Sequence, residues 1–284
     1  MSLLRAAATV SGLTLLSRIT GLARENLTAA IFGASAFTDA FFVAFRLPNL
    51  LRRLFAEGAF SQAFVPILAE SRAHAEARGG ADPQAALAET RTLVDRIATA
   101  LFWTLVAVSL VGVLASPALV WLIASGLREQ PEVFAAAVTM TRWMFPYILS
   151  ASLIALSAGI LNTWKRFAVP AFTPVMLNLC FIGAAHGLSR FFDPPIYELA
   201  AGVVLGGIAQ LAIQVPALHR IGMLPRIRLN LREALADPHT RRVLKLMAPA
   251  VLAVSVAQIS LVINTHIASR LAPGSVSWIS YGDR

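Results

Sequence analysis

The sequence contains little cysteine and little charge. Its one cysteine, Cys180, lies in an apolar run, so an intrachain disulfide is excluded and we expect a small buried thiol. Charged residues make up 14% of the 284 residues and hydrophobic residues 57%, and the mean hydropathy is +0.69. This composition is far from that of an average soluble domain and indicates a membrane protein.

The sequence also lacks the motifs of ATP-driven pumps and of membrane enzymes. It has no Walker-type loop, no nucleotide-binding glycine-rich turn and no nucleophile elbow. No pair of carboxylates is spaced for acid–base catalysis. The five histidines are scattered, so none shares a helix face with another. We therefore expect no enzyme activity, no cofactor and no metal site from these residues: His74, His186, His219, His239 and His266.

Apolar runs long enough to cross a roughly 30 Å hydrocarbon core recur along the chain. They predict an all-α polytopic transmembrane bundle of about seven spans, with an eighth beginning at residue 275. Glycine and proline turns such as Gly33–Ser35 and Asp193–Pro195 mark the breaks. The predicted spans cover residues 3–32, 36–64, 97–125, 133–163, 167–189, 196–218 and 246–269.

The net charge of +9 is carried largely by short segments between the apolar runs, where topology signals lie. We therefore predict no nucleic-acid partner. With a cytoplasmic N-terminus, the outside segments hold only Arg128, Arg190 and Arg270. This bias favours that orientation, because basic residues collect on the cytoplasmic side. The inside segments then hold Arg5, Arg72, Arg78, Arg91, Arg96, Lys165, Arg166, Arg220, Arg226, Arg228, Arg232, Arg241, Arg242 and Lys245.

The stretch from Ser17 to Gly58 has the hydropathy of membrane helices and is nevertheless rich in charge. Ionisable residues within spans are costly and normally face a bundle interior or a wet cavity. Guanidinium groups match phosphate oxygens and stay charged, so unneutralised arginines there favour an anionic ligand. The charged residues of the stretch are Arg18, Arg24, Glu25, Asp39, Arg46, Arg52, Arg53 and Glu57.

Helix spacing offers some of these arginines an acidic partner. Residues seven apart nearly eclipse on a helix, as Arg18 and Glu25 do, and likewise Asp39 and Arg46. Structural ion pairs, or snorkelling of basic side chains to headgroups, are therefore the alternative to ligand binding. Arg24 has no such same-face partner and lies deeper in its predicted span, which makes it the strongest candidate for a ligand contact.

Several motifs in chain order resemble the MurJ (MviN) lipid II flippases of the bacterial inner membrane. They include SRITGLARE, TDAFFVAFRLPNLLRRLFAEGAFSQAFVP, FPYIL, GILNTWKRFAVPAFTP, PVMLN, QISLVINT and GSVSWISYGDR. The resemblance runs from residue 1 to 284. It implies a member of the multidrug/oligosaccharidyl-lipid/polysaccharide exporter superfamily, with two helix lobes around a central cavity.

The resemblance also implies which residues bind substrate. The family's cavity arginines correspond to Arg18, Arg24, Arg52 and Arg284, with Asp39 as the acidic partner. Glu25, Arg46, Arg53 and Glu57 complete the expected charge network. The sequence departs from the family where Glu25 replaces a common aspartate, and at Ser280 and Gly282 near Arg284.

The function implied is the flipping of lipid II, an undecaprenyl-pyrophosphate-linked disaccharide peptide, from the cytoplasmic to the periplasmic leaflet. Alternating access, driven by membrane potential, is the implied mechanism. Expected partners are lipid II, membrane lipids and, transiently, the cell-wall synthesis machinery.

The family's greater number of spans implies a particular domain organisation. We expect an N-terminal lobe of six helices at 1–218 and a basic cytoplasmic connection at 219–245. The first helix and the start of the second helix of an incomplete further lobe are expected at 246–284. The chain is therefore expected to be the N-terminal part of a flippase and to be inactive alone.

Two other functions remain open. One is export of another polyprenyl-pyrophosphate-linked or anionic substrate, because arginines that bind pyrophosphate do not distinguish the attached sugars. The other is a non-transporting membrane scaffold in which the arginines form structural pairs.

Overall fold

A computed structural model describes residues 3–52, 59–78 and 83–282. Every regular element in these ranges is helical, which confirms the predicted all-α class. Two short 3-10 turns, Ser125–Glu129 and Ser189–Phe191, lie between helices. The helices are α1 (Leu3–Phe32), α2 (Ala36–Arg52), α3 (Ala59–Arg78), α4 (Pro83–Ile123), α5 (Pro131–Met144), α6 (Tyr147–Thr163), α7 (Ala168–Gly187), α8 (Tyr197–Arg220), α9 (Leu231–Ala236), α10 (Pro238–Ala268) and α11 (Ser275–Gly282).

Proline and glycine set several helix boundaries. Pro146 separates α5 from α6 inside the predicted span 133–163, because proline cannot donate the backbone hydrogen bond that would continue the helix. Pro131 is the first residue of α5. A backbone N–H at this position has no acceptor within the helix, so proline costs no hydrogen bond there. Gly33 ends α1 with a φ of +58°, a left-handed conformation that costs glycine little.

Within the described part of the chain, four helical segments are long and apolar enough to cross a membrane. They match four predicted spans, and the other predicted spans stay predictions. The predicted span 36–64 corresponds to α2 and α3, and residues 53–58 lie outside the described ranges. The four segments are Leu87–Ile123, Pro131–Thr163, Ala168–Gly187 and Tyr197–Arg220.

Two apolar cores hold the bundle together. The first joins α2, α5 and α8. The second joins α3, α4 and α6 around Phe60 and Phe64. Gly206 and Gly207 let α8 approach its neighbours closely, since a Cβ at Gly207 would lie 2.7 Å from the Tyr147 ring and one at Gly206 would lie 2.5 Å from Leu177.

Helix α7 packs between α8 and α1, and much of the apolar surface of α1 stays uncovered. Leu15, Ile19 and Leu22 are each at least half exposed. The predicted connection 219–245 contains α9 and the start of α10. Both helices pack on α4, which places α10 beside the bundle.

Candidate functional site

A cavity of about 580 Å³ opens between α1, α6, α7 and α8, and Arg52 of α2 and Val65 of α3 also line it. Its volume lies within the range of ligand pockets, roughly 300–1,000 Å³. The space exists because α6 turns small side chains toward it. Ala151, Ala155 and Ala158 follow one another at intervals of four and three residues and therefore share a face of α6.

Helix α1 supplies a polar face to the same cavity. Ser17, Gly21 and Arg24 line it, again at intervals of four and three residues. Arg24 is also held from two directions. Its Nη2 donates to Oε1 of Glu25 at 3.0 Å, and its guanidinium carbon lies 5.1 Å from the centre of the Phe181 ring. Such contacts fix a long side chain in one orientation.

Arg52 lies at the end of α2 and lines the same cavity. Its Nε and Nη2 donate to Oδ1 of Asn49 at 3.2 and 3.0 Å. The acceptor is a neutral amide oxygen, and this contact orients the guanidinium. The cavity is therefore lined by arginines from two different helices.

Neutral polar side chains complete the wall. Nδ2 of Asn178 donates to the backbone carbonyl of Ser17 and to Oγ1 of Thr20, each at 3.1 Å, which ties α7 to α1. Nε2 of Gln210 donates to the carbonyl of Thr173 at 2.8 Å. Asn178 and Gln210 are not among the predicted site residues, because they carry no charge. The available signal was a polar residue inside an apolar helix.

Asp39 is 3% exposed and lies away from this cavity, at the start of α11. Its Oδ2 accepts from the Gly274 N–H at 2.7 Å. Its Oδ1 accepts from the Ser277 N–H at 2.7 Å and from the Ser277 hydroxyl at 2.5 Å. Asp39 thus caps the N-terminus of α11, where backbone donors lack intrahelical acceptors and negative charge is favoured.

Arg46 also joins α2 to the last two helices. Its Nη1 donates to the carbonyl of Leu261 at 3.1 Å and to Oγ1 of Thr265 in α10. Its Nη2 donates to Oγ of Ser280 in α11 at 3.1 Å. Asp39 and Arg46, predicted to share a face of α2, both bind groups of other helices.

The other predicted site residues take different positions. Arg18 is exposed and does not line the cavity. Glu25, predicted to share a helix face with Arg18, contacts the neighbouring Arg24. Arg53, Glu57 and Arg284 lie outside the described residues. Across 3–52, 59–78 and 83–282, no group of three or more histidine, cysteine or carboxylate side chains is placed to hold a metal ion.

The family model described as "Lipid II flippase MurJ" matches residues 28–284. The chain belongs to the MurJ family. The predicted resemblance is confirmed, and the matched residues include all of α2 to α8.

Relatives of this MurJ-family chain show the same similarity over its full length. It is 54% identical to the lipid II flippase MurJ of Burkholderia cenocepacia over all of the chain and 53% of that protein. It is 41% identical to the probable lipid II flippase MurJ of Vibrio cholerae over 99% of the chain and 52% of that protein. The chain therefore spans about half the length of these curated relatives.

A solved structure shares the fold. It is described as lipid II flippase MurJ in an inward closed conformation, and it superposes with a TM-score of 0.72 at 25% sequence identity. The match covers 96% of this MurJ-family chain and 53% of the solved chain. The likeness supports the helix arrangement around the cavity.

Proposed function

We propose that this chain forms the first lobe of a lipid II flippase and that Arg24 and Arg52 bind the lipid's pyrophosphate. The observation that carries the proposal is the convergence of these two arginines on one cavity of about 580 Å³. Guanidinium groups offer several N–H donors in a planar fork that matches phosphate oxygens. Because the Arg24 side chain is only 15% exposed, water screens the contact less than it would at a surface.

The neutral wall suits the rest of the headgroup. Asn162, Asn178 and Gln210 line the cavity beside the arginines. Amide side chains both donate and accept hydrogen bonds, as the hydroxyl and amide groups of a sugar peptide require. The polyprenyl tail stays in the lipid, and the headgroup alone enters the cavity.

Flipping then requires the cavity to change the side to which it opens, as in alternating access. We assign α10 and α11 to the second lobe. The contacts of Asp39 and Arg46 hold these helices against α2 in the state described here. Arg18, which is exposed, and Arg284 are proposed to face the headgroup from the parts of the cavity wall that the second lobe completes.

The proposed location is the bacterial inner membrane, with the N-terminus in the cytoplasm. Lys165 and Arg166 follow α6, and Arg220 ends α8, so these basic residues lie at the ends that this orientation places inside. Arg128 and Arg190 follow α4 and α7 at the opposite ends.

Membrane potential suffices as a driving force in this proposal. A charge moved across 100 mV changes free energy by about 2.3 kcal/mol, so a pyrophosphate of charge about −2 gains roughly 4.6 kcal/mol on leaving a negative interior. The same field draws an empty cationic cavity back toward the inside. Because the arginines move outward with the pyrophosphate and return without it, the net gain over a complete cycle is that of the pyrophosphate alone.

The test is the rate at which lipid II reaches the outer leaflet in cells that carry Arg24→Ala in the complete gene product. We expect the rate to fall at least about tenfold, since a hydrogen bond to a charged group contributes about 1.5–3 kcal/mol. Arg128→Ala, which removes a cation from the outer loop, is the matched control and should flip normally. Normal flipping by Arg24→Ala at normal protein levels would refute the binding role and favour a scaffold. If Arg24→Ala instead stopped the export of a different polyprenyl-linked substrate, the alternative function as an exporter of that substrate would be favoured.

A further inference from the structure

Residues 224–230 form an extended segment, here called the strap, that connects α8 to α9 along the side of α4. The backbone N–H of Arg226 donates to Oδ1 of Asp95 at 2.8 Å. The N–H of Arg228 donates to Oγ1 of Thr99 at 3.1 Å, and Nε1 of Trp103 donates to the Arg228 carbonyl at 2.9 Å. The three α4 residues are four apart and share one face, so the strap runs along α4 in the direction of its C-terminus.

The position of Trp103 gives the depth of the strap. Residues 104–123 contain no charged side chain, and α4 ends at Ile123. Twenty residues of helix extend about 30 Å, which is the thickness of the hydrocarbon core. Trp103 therefore lies at the membrane boundary, where tryptophan is enriched. The strap approaches this boundary from the side of the basic loops and reaches it at Arg228 and Leu229.

The tip of the strap has the chemistry of an interfacial segment. Leu229 is 87% exposed and Ile227 is 40% exposed. Arg226, Arg228 and Arg232 are exposed as well, and within the described ranges none of these guanidinium groups has an acidic partner. Exposed apolar side chains interleaved with arginine are typical of segments that lie in a headgroup layer.

Two arginines near the strap, Arg96 and Arg242, do have acidic partners. Arg96 lies 2.9 Å from Oδ1 of Asp237, and Arg242 lies 3.0 Å from Oε2 of Glu70. Ion pairs thus neutralise basic residues beside the strap, whereas the cations of the strap keep their full charge. Uncompensated positive charge therefore lies at the depth of lipid phosphates.

We propose that the strap inserts Leu229 into the lipid leaflet on the basic side and binds anionic phospholipid headgroups through Arg226 and Arg228. The assignment to the cytoplasmic leaflet rests on the orientation given with the proposed function. Because the strap leads through α9 to Asp237 and α10, lipid binding holds the connection between the two lobes at a fixed depth.

Insertion is tested with a nitroxide label in the complete gene product, in nanodiscs that contain phosphatidylglycerol. The label is placed at Leu229→Cys in a background in which every other cysteine of the complete gene product, Cys180 included, is replaced by serine. The matched control is Leu87→Cys, another exposed leucine, which lies about 24 Å farther along α4 from Trp103 on the loop side. We expect collisions with oxygen to dominate at 229 and collisions with a water-soluble nickel chelate to dominate at 87. Equal access of the chelate to both labels would overturn the proposal.

Headgroup binding is tested by counting phosphatidylglycerol molecules retained in native mass spectrometry at graded lipid concentrations. Each basic residue near an anionic surface contributes roughly a fivefold factor in affinity. Arg226→Gln/Arg228→Gln should therefore raise the lipid concentration needed for half-maximal retention about 25-fold. Arg241→Gln/Arg242→Gln removes equal charge and should change retention little. The proposal would be overturned if both double variants lost phosphatidylglycerol equally, or if Arg226→Gln/Arg228→Gln lost phosphatidylcholine to the same extent. It would also be overturned if free inorganic phosphate displaced the retained phosphatidylglycerol.

These measurements do not require transport. If Arg24→Ala flips lipid II normally, the strap can still be found inserted in the membrane. If the strap is not inserted, flipping can still depend on Arg24. The two proposals therefore fail separately.

Discussion

The guanidinium carbon of Arg24 lies 5.1 Å from the centre of the Phe181 ring, which joins a charged residue of α1 to an aromatic residue of α7. Phe181 is 3% exposed and packs in the apolar core with Phe41 and Phe45. A ring that belongs to the core has one position, so it gives the arginine a fixed place beside the cavity. The core and the proposed binding site are coupled through this contact.

Phe181→Leu should weaken lipid II binding because it removes the aromatic face and keeps an apolar side chain. A cation–π contact contributes about 0.5–2 kcal/mol, which corresponds to a loss of roughly 2- to 30-fold in affinity. Phe181→Trp keeps an aromatic face and should bind more tightly than Phe181→Leu. Affinity of the purified variants for lipid II is the measurement. Equal affinity of wild type and Phe181→Leu would show that the ring does not position Arg24.

Asp39→Ala should loosen the start of α11. The substitution leaves the buried N–H groups of Gly274 and Ser277 without their acceptor, at a cost of about 1–3 kcal/mol. Hydrogen exchange at these two amides should accelerate by about one to two orders of magnitude. The amides of α6 serve as the internal control and should keep their protection. Unchanged exchange at 274 and 277 would mean that the cap does not hold the helix.

Gly126→Ala should destabilise the contact between the α4–α5 connection and the end of α10. A Cβ at Gly126 would lie 1.9 Å from the carbonyl oxygen of Ser269, and backbone atoms cannot rotate away as a side chain can. Overpacking of this kind costs about 1–3 kcal/mol, so the thermal midpoint should fall. Gly183→Ala is the matched control, because its Cβ would meet no atom within 4 Å. A midpoint equal to that of the control would argue against this packing.

Dissipating the membrane potential should slow lipid II flipping at constant protein and substrate levels. The proposed gain of about 4.6 kcal/mol at 100 mV disappears when the potential is zero. The measurement is outer-leaflet lipid II after addition of an ionophore that collapses the potential and spares the proton gradient. If the flipping rate were unchanged after addition of the ionophore, the driving force would be another gradient.

Sequence reasoning reached the helical class and two residues of the cavity wall. Arg24 was expected to face a ligand because it is a deep charge within an apolar helix, and depth can be read from the order of residues along one helix. Arg52 followed from the family resemblance and lines the same cavity. Gly33 marks a helix boundary through local backbone chemistry alone, whereas the break at Pro146 lies inside a stretch that was predicted as one span.

Contacts between distant helices were beyond this reasoning. The partners of Asp39 at Gly274 and Ser277 are more than 200 residues away in sequence and belong to a helix terminus, which side-chain spacing cannot reveal. The Arg24–Glu25 contact joins adjacent residues, which the spacing argument had placed on different faces. Adjacent residues point about 100° apart on a helix, and long flexible side chains can bend across this angle. Spacing on an ideal helix is therefore a poor guide to such pairs.

The central claim is that the cavity arginines bind the pyrophosphate of the lipid, and its most direct test is the affinity of the complete, purified protein for lipid II. We expect Arg24→Ala and Arg52→Ala each to weaken binding by roughly 10- to 150-fold, as loss of a charged hydrogen bond implies. Arg24→Lys should recover part of the loss, since lysine keeps the charge without the planar fork. Lipid II affinity that is the same in wild type, Arg24→Ala and Arg52→Ala would contradict the account.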